Sequence, residues 1–462
     1  MFYSAQRLHF TGIGGIGMSG LAELCLAAGC EVTGSDAKLS GVTARLERLG
    51  IAVKEGHAAE NVPAGAAALI VTSAVKADNA EVLEAKRRGL PVVLRGELLA
   101  ELMKGKRGVA VGGSHGKTTT TSMLAQAALD AGLDPTVFVG TLAPFLGGSN
   151  ARAGGDVFIT ECDESDGSFL DLAPEYAVIT NIDKEHLDYW KTFENVVAGF
   201  VKFANRVAYT GAVAACTDDR VVRGMLGCVR RRVIRYGREE GAELRIEGEE
   251  GGAEGSRFRL KRGGADQGEF RLKVLGRHNV LNAAAAAAVL SELGVGLEKI
   301  RAGLAEYAGT GRRMEPRGTA GGVTVIDDYG HHPTEVKATL EALRLGAPRR
   351  LVVLFQPHRY TRTQALLEEF GGAFGAADVV RVTAIYAASE APIEGVTGEA
   401  LAARIRASGH ADCRYGGTLD EAVGGLCKEL REGDVVLTLG AGSVTQAGAM
   451  ILRTLKGEAA HG

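Results

Sequence analysis

Aromatic residues are scarce in this 462-residue chain, at 5%, and a surface that stacks on nucleic-acid bases needs more of them. Excess positive charge is missing too. The net charge of -3 removes the electrostatic case for nucleic acid or an anionic membrane as partner. No apolar run is long enough to span a bilayer. The opening MFYSAQRLHF lacks the basic-then-apolar layout of a signal peptide. The seven cysteines include no CxxC pair and read as reduced thiols of a cytoplasmic protein. Cys162 reads as a small apolar filler. What is present is ordinary for a globular protein: 46% hydrophobic and 24% charged residues. The length is too great for one core and predicts roughly two to four α/β domains.

The chain is organised around AVGGSHGKTTTT, residues 110–121. A short apolar run precedes it, and Met123, Leu124, Ala127 and Ala128 follow at helical spacing. Strand, glycine loop, Lys-Thr and helix form a phosphate-binding loop. Gly112, Gly113 and Gly116 let backbone N–H groups turn toward an anion, and the helix N-terminus adds partial positive charge. Lys117 supplies a full charge for the terminal phosphates, and the Thr118 hydroxyl is placed for a bound Mg2+. Val111 stands where the common pattern has its first glycine, so this loop is one residue shorter.

The N-terminal segment carries GIGGIGMSG between a strand at 8–11 and a helix. Gly12, Gly14 and Gly17 satisfy G-x-G-x-x-G. Asp36, ending the next strand, sits where a ribose-binding acid belongs. A diphosphate is implied. NAD and a nucleotide-sugar both remain open as its carrier. Strands at 67–71 and 91–94 and a helix at 79–88 complete an α/β unit. Residues 104–108, KGKRG, read as a basic hinge.

Beyond the phosphate loop, an apolar strand at 156–160 ends in Glu161, the expected Mg2+ ligand. Asp163, Glu164 and Asp166 are expected in a solvated loop. A strand at 176–180 leads to His186, at a strand mouth near the presumed metal. Residues 239–267, rich in Gly and Glu, predict exposed β-hairpins. His278, Asn279 and Asn282 share one face at the start of an alanine-rich helix. They suit a purine edge or a plain helix N-terminus equally. Residues 309–316, GTGRRMEP, form a second hinge candidate. A third α/β unit follows, with DDYGHHPTE and QPHRYTRT placed just after strand ends.

These segments in this order resemble the Mur ligase family: GIGGIGMSG, TSAVKADN, GSHGKTTTT, TNIDKEHLD, GRHNVLNA, GRRME, DDYGHHPTE and QPHRYTRT. The resemblance covers nearly the whole length. It implies an N-terminal Rossmann-like UDP-binding domain (1–107), a central P-loop ATP-binding domain (108–310) and a C-terminal Rossmann-like domain that brings the amino acid (311–462). It implies an ATP-dependent ligase of bacterial peptidoglycan synthesis. The lactyl carboxylate of UDP-N-acetylmuramate would be activated as an acyl phosphate and joined to L-alanine or, in a close alternative, to a recycled murein peptide. ATP would be held by Gly113, Ser114, His115, Gly116, Lys117, Thr118 and Thr119, with His278, Asn279 and Asn282 on the adenine. Mg2+ would lie on Thr118, Glu161 and His186. By the same resemblance Arg313 reaches the phosphates, and Tyr329, His332, His358, Arg359 and Arg362 surround the reacting carboxylate and the alanine. Gly12, Gly14, Gly17, Asp36 and Ser73 would cradle the UDP moiety. Ser114 stands where the family usually has Thr. Lys191 and Lys202 are candidates for the carbamylated lysine of other members. The sequence leaves the choice between monomer and homodimer open.

Overall fold

The computed structural model describes residues 6–252, 254–346 and 348–457. They form three sheets. In the first, five parallel strands run in the spatial order Ala52–Glu55, Glu31–Asp36, Arg7–Thr11, Ala68–Val71 and Val92–Leu94. The order reverses between Arg7–Thr11 and Ala68–Val71. An open α/β sheet binds ligands at such a switch point, beyond the carboxyl ends of the strands. The loops leaving those strands carry Gly12 and Gly14 on one side and Ser73 on the other.

The second sheet has ten strands. Arg107–Gly112 lies within it, paired in parallel with Val157–Glu161 and Tyr176–Ile179. The phosphate loop, Glu161 and the 180–186 segment therefore leave adjacent strand ends. The expected hairpins at 239–267 are found as the strands Leu244–Gly252, Gly255–Arg262 and Ala265–Leu272, which extend one edge of this sheet. The third sheet has six strands, parallel except for the hairpin Glu315–Ala320 with Val323–Asp328.

The central strands are buried almost throughout. Residues 108–112 and 176–179 have no exposed position. Parallel strands covered on both faces by helices need such continuous apolar runs. The described chain groups into two compact units. One comprises Met1–Gly248, Phe258–Arg271 and Leu281–Tyr307; the other comprises Glu249–Arg257, Leu272–Val280 and Ala308–Gly462.

Within the first unit one hydrophobic cluster runs from Leu8 and Phe10 through Phe158 to Phe200. The helix Ile16–Ala27 rests on the Thr136–Ala143/Ser149–Arg152 hairpin. There Asn150 Nδ2 donates to Ile16 O at 2.7 Å, and Ser149 Oγ donates to Glu23 at 2.8 Å. A Cβ at Gly20 would come within 2.5 Å of the Asn150 amide. In the 104–108 segment Lys106 Nζ donates to Thr136 Oγ1, Gly154 O and Gly155 O at 2.7–3.1 Å. Among the described residues no helix is long and apolar enough to cross a membrane.

Candidate active site

Helix caps single out two sites. Helices starting after Ser40, Asn79, Thr192 and Asp219 are capped by those side chains. The helices Ile16–Ala27 and Lys117–Asp130 follow glycines, with no side-chain cap and no acid in the first turn. Their first N–H groups are left for an anion. At the first site the Asp36 carboxylate accepts the Gly14 N–H at 2.9 Å. This acid buttresses the glycine loop.

The phosphate loop is held by the segment after Tyr176–Ile179. Ser114 N donates to Asn181 O at 3.0 Å and His115 N to Asn181 Oδ1 at 2.8 Å. Thr180 Oγ1 and Asn181 Nδ2 donate to His115 O at 2.6 and 3.0 Å. Gly113 has φ +134°, and a Cβ there would fall 2.0 Å from Thr180 Oγ1. Gly116, at φ +81°, has Asn282 Oδ1 2.8 Å from where its Cβ would be, so Asn282 stands against the phosphate loop. The motif TNIDKEHLD thus braces the loop through residues that sequence reasoning, which singled out His186, did not name. Thr180 and Asn181 shape the loop, and their place directly after a strand was the available signal.

Lys117 Nζ donates to Gly113 O at 2.7 Å and to both oxygens of Glu164, at 3.0 and 2.8 Å. Burial opposes its charge, but Glu164 and Asp163 hold its pKa well above the ordinary lysine value. The expectation of a solvated loop for Asp163, Glu164 and Asp166 is corrected here for Glu164, while the Asp163 side chain stays 41% exposed and Asp166 is half-buried. Glu164 is 2% exposed because a buried ammonium needs a buried counter-charge. Burial would raise the Asp163 carboxyl, yet Lys117 and Arg95 bring it down to about 2. Asp166 receives the Ser73 hydroxyl at 3.4 Å and the Ser168 N–H at 3.1 Å.

Glu161 lies against Gly140, where a Cβ would fall 1.8 Å from its Oε1. Burial raises its carboxyl, and the Thr118 hydroxyl and the Lys117 charge pull it back. Its Oε2 is buried and has no hydrogen-bond partner among the described residues. A carboxylate beside a phosphate-loop threonine, with one buried oxygen left over, fits a hard divalent cation. His186 adopts φ +55°, a strained value for a histidine. Its Nε2 stands 3.5 Å from Glu185 Oε2 and 3.8 Å from Glu164 Oε1. One ligand atom from each of these three lies within 4.8 Å of the others. Lys191 Nζ turns back to Asp188 O, and Lys202 is exposed on a helix.

In the second unit, cations gather at the strand ends. The Arg312 and Arg313 guanidiniums lie 4.9 and 5.2 Å from the Tyr329 ring centroid. Arg312 Nη2 donates to Gly440 O at 2.6 Å. Asp328, buried, accepts the Met314 and Gly330 N–H groups at 2.8 and 2.7 Å, fixing the turn between them. His358 stacks on Tyr386 and contacts Arg362 at 3.1 Å through Nδ1. Burial, then His331, Arg362 and Arg359, push its pKa down to about 3, so it is neutral. Arg359 holds φ +68° and donates its N–H to Tyr386 O at 2.8 Å. His332 is 3% exposed, and its Nδ1 accepts the Thr334 N–H in capping the helix Pro333–Leu345. Burial and Arg313 lower His278 to about 4; Asn279 Nδ2 donates to Leu275 O at 2.7 Å. Arg312, Asp328 and Tyr386 were not singled out from the sequence.

Known proteins match this arrangement. Residues 7–107 match the family model described as Mur ligase family, catalytic domain. Residues 111–290 match the Mur ligase middle domain, and residues 312–442 match the Mur ligase, glutamate ligase domain. The chain is 54% identical to a UDP-N-acetylmuramate–L-alanine ligase of Solibacter usitatus, over 99% of this chain and 97% of that protein. It is 50% identical to the protein of that name from Anaeromyxobacter sp. strain Fw109-5, over 97% and 98%. The crystal structure of UDP-N-acetylmuramate-alanine ligase MurC from Thermotoga maritima superposes with a TM-score of 0.83 at 29% identity, covering 98% of this chain and 100% of that one. A murein peptide ligase from Psychrobacter arcticus shares the fold, with a TM-score of 0.73 at 23% identity. With three α/β domains matched in order, the chain belongs to the Mur ligase family.

Proposed function

We propose that this protein joins L-alanine to the lactyl carboxylate of UDP-N-acetylmuramate, consuming ATP, at the first peptide-adding step of peptidoglycan synthesis. The observation that carries the reading is full-length identity of 54% and 50% to ligases of that name. The three proposed domains divide at about residues 107 and 310.

The chemistry follows from the charges. Carboxylate and γ-phosphate are both anionic, so the site must neutralise them before they meet. Lys117 and the free N–H groups of Gly116 to Thr119 do so on the phosphate side. Thr118, Glu161 and His186 would hold Mg2+, which when bound neutralises phosphate charge as a Lewis acid. A lactyl oxygen bonds to the γ-phosphorus as the bond to ADP breaks. The alanine nitrogen then attacks the acyl carbon and loses a proton, and the tetrahedral intermediate expels phosphate. Gly12, Gly14, Gly17, Asp36 and Ser73 take the UDP moiety, while His278, Asn279 and Asn282 take the adenine. Arg313 and His332 serve the phosphoryl step. Tyr329, His358, Arg359 and Arg362 hold alanine, whose carboxylate suits a guanidinium fork.

The test is phosphate release from ATP with UDP-N-acetylmuramate, adding one amino acid or peptide at a time. Release that requires both the sugar nucleotide and L-alanine is expected. Release with a murein tripeptide and not with alanine would replace this reading with the recycling one.

A further inference from the structure

One guanidinium stands between the first domain's glycine loop and the Glu161 loop. Arg95 opens the helix Arg95–Met103, just past the strand Val92–Leu94 at the carboxyl edge of the first sheet. Its Nη1 lies 2.8 Å from the point a Cβ would occupy on Gly17, the third glycine of G-x-G-x-x-G. Its Nη2 donates to Asp163 Oδ2 at 3.3 Å. The helix and the acidic loop are in close contact behind it, since a Cβ on Gly96 would fall 2.3 Å from Ser168 Cβ.

Gly17, Arg95, Gly140, Glu161 and Asp163 line one cavity of about 190 Å³. The cavity therefore runs from the start of the uncapped helix Ile16–Ala27 to the buried carboxylate expected to hold the metal. Arginine has five N–H donors in a rigid fork. Asp163 takes one of them, at the long end of hydrogen-bond range, and the others make no hydrogen bond to a described residue. The side chain is 27% exposed. A guanidinium with spare donors, fixed on one side by an acid and open on the other to a cavity, is built to take a second anion.

We propose that Arg95 binds an oxyanion of the sugar nucleotide, and that by keeping Asp163 at the same time it sets the acidic loop against the bound substrate. The proposal rests on the reading of UDP-N-acetylmuramate as substrate. That molecule carries two oxyanions within reach of such a cavity: its diphosphate and its lactyl carboxylate. Arg95 would join two events that must coincide, filling of the sugar-nucleotide site and alignment of Glu161 and Glu164 near the phosphates.

The test is calorimetric titration of the wild type, Arg95→Ala and Arg95→Lys with UDP-N-acetylmuramate and with UDP-N-acetylglucosamine, which lacks the lactyl carboxylate. A non-hydrolysable ATP analogue is titrated in parallel to show that each variant is folded. The alanine variant is expected to bind UDP-N-acetylmuramate more than about tenfold more weakly. The lysine variant should recover part of the loss, and the ATP analogue should bind within about twofold of wild type. Equal weakening of both sugar nucleotides assigns the diphosphate; weakening confined to UDP-N-acetylmuramate assigns the carboxylate. Unchanged affinity for both, in a variant that still binds the ATP analogue, overturns the proposal. Failure of the wild type to bind either sugar nucleotide would instead overturn the substrate reading on which it rests.

Discussion

Glu164 holds the phosphate-loop lysine with both of its oxygens, 2.8 and 3.0 Å from Lys117 Nζ. A carboxylate there occupies the place and charge of a phosphate group. Removing one partner of a buried pair leaves the other uncompensated, at a cost of about 3 kcal/mol or more. Glu164→Gln should therefore lower the unfolding midpoint of the ligand-free protein. It should also enlarge the stabilisation given by an ATP analogue, because the nucleotide no longer displaces a carboxylate. Thermal melts with and without the analogue read both effects. An unchanged ligand-induced shift would mean that Glu164 and the nucleotide do not compete.

Gly140 offers a probe of the metal site that changes no ligand. Its missing Cβ leaves room for Glu161 Oε1, which would otherwise be 1.8 Å away. Gly140→Ala must displace that carboxylate. The Mg2+ concentration for half-maximal turnover is expected to rise by about tenfold or more, the usual effect of disturbing a ligand's support. Gly224→Ala is the control, since a Cβ there meets nothing within 4 Å. A normal Mg2+ titration in the Gly140 variant would remove Glu161 from the metal site.

The contrast between these residues shows what a sequence makes legible. Lys117, Thr118 and Glu161 were readable because strand–loop–helix punctuation fixes where their side chains must stand. Glu164 and Asp163 were read as solvated because an acidic loop usually is. The burial of Glu164 depends on Lys117, which is distant in sequence and adjacent only once two strands pair; Asp163, beside Arg95, remains half-exposed. Gly140 and Asn181 were silent for the same reason: the first makes room for a carboxylate from a neighbouring strand, and the second braces a loop from the next one. The five-stranded first sheet was legible from its period of strands and helices. The edge strands Glu315–Ala320 and Cys413–Gly417, exposed or half-exposed over much of their length, left no such trace.

His358 gives the second unit a pH dependence. Its folded pKa of about 3 lies below the unfolded value of about 6.5. Below that unfolded value the unfolded chain takes up a proton that the folded chain refuses, so stability falls with pH between about 6.5 and 3. Above about 6.5 the group is neutral in both states and contributes nothing to the slope. His358→Asn, which cannot titrate, should flatten the fall of the urea midpoint between pH 7 and pH 5. A slope identical to wild type would show that the imidazole is free to protonate in the folded state.

Glu81 titrates with the opposite logic in the first unit. It is fully buried and accepts from Thr11 Oγ1 at 2.6 Å, Ser35 Oγ at 2.8 Å and Asn61 Nδ2 at 2.9 Å. Burial alone would raise its pKa, but His9 and these three donors hold it at about 2. The unfolded carboxyl titrates near 4.3, so this contribution is complete above that value and is lost as pH falls toward 2. Glu81→Gln puts an amide N–H among groups that are themselves donors. The expected loss is about 3 kcal/mol at neutral pH, shrinking toward pH 3. Ser35 also presents its carbonyl to the Gly12 and Ile13 N–H groups at 2.8 and 2.9 Å. The variant should thus weaken sugar-nucleotide binding while leaving the ATP analogue's affinity alone. Urea unfolding at pH 7 and pH 3.5 tests the first effect, and calorimetry with each ligand tests the second. Equal destabilisation at both pH values would mean that the side chain's shape, and not its charge, braces the glycine loop.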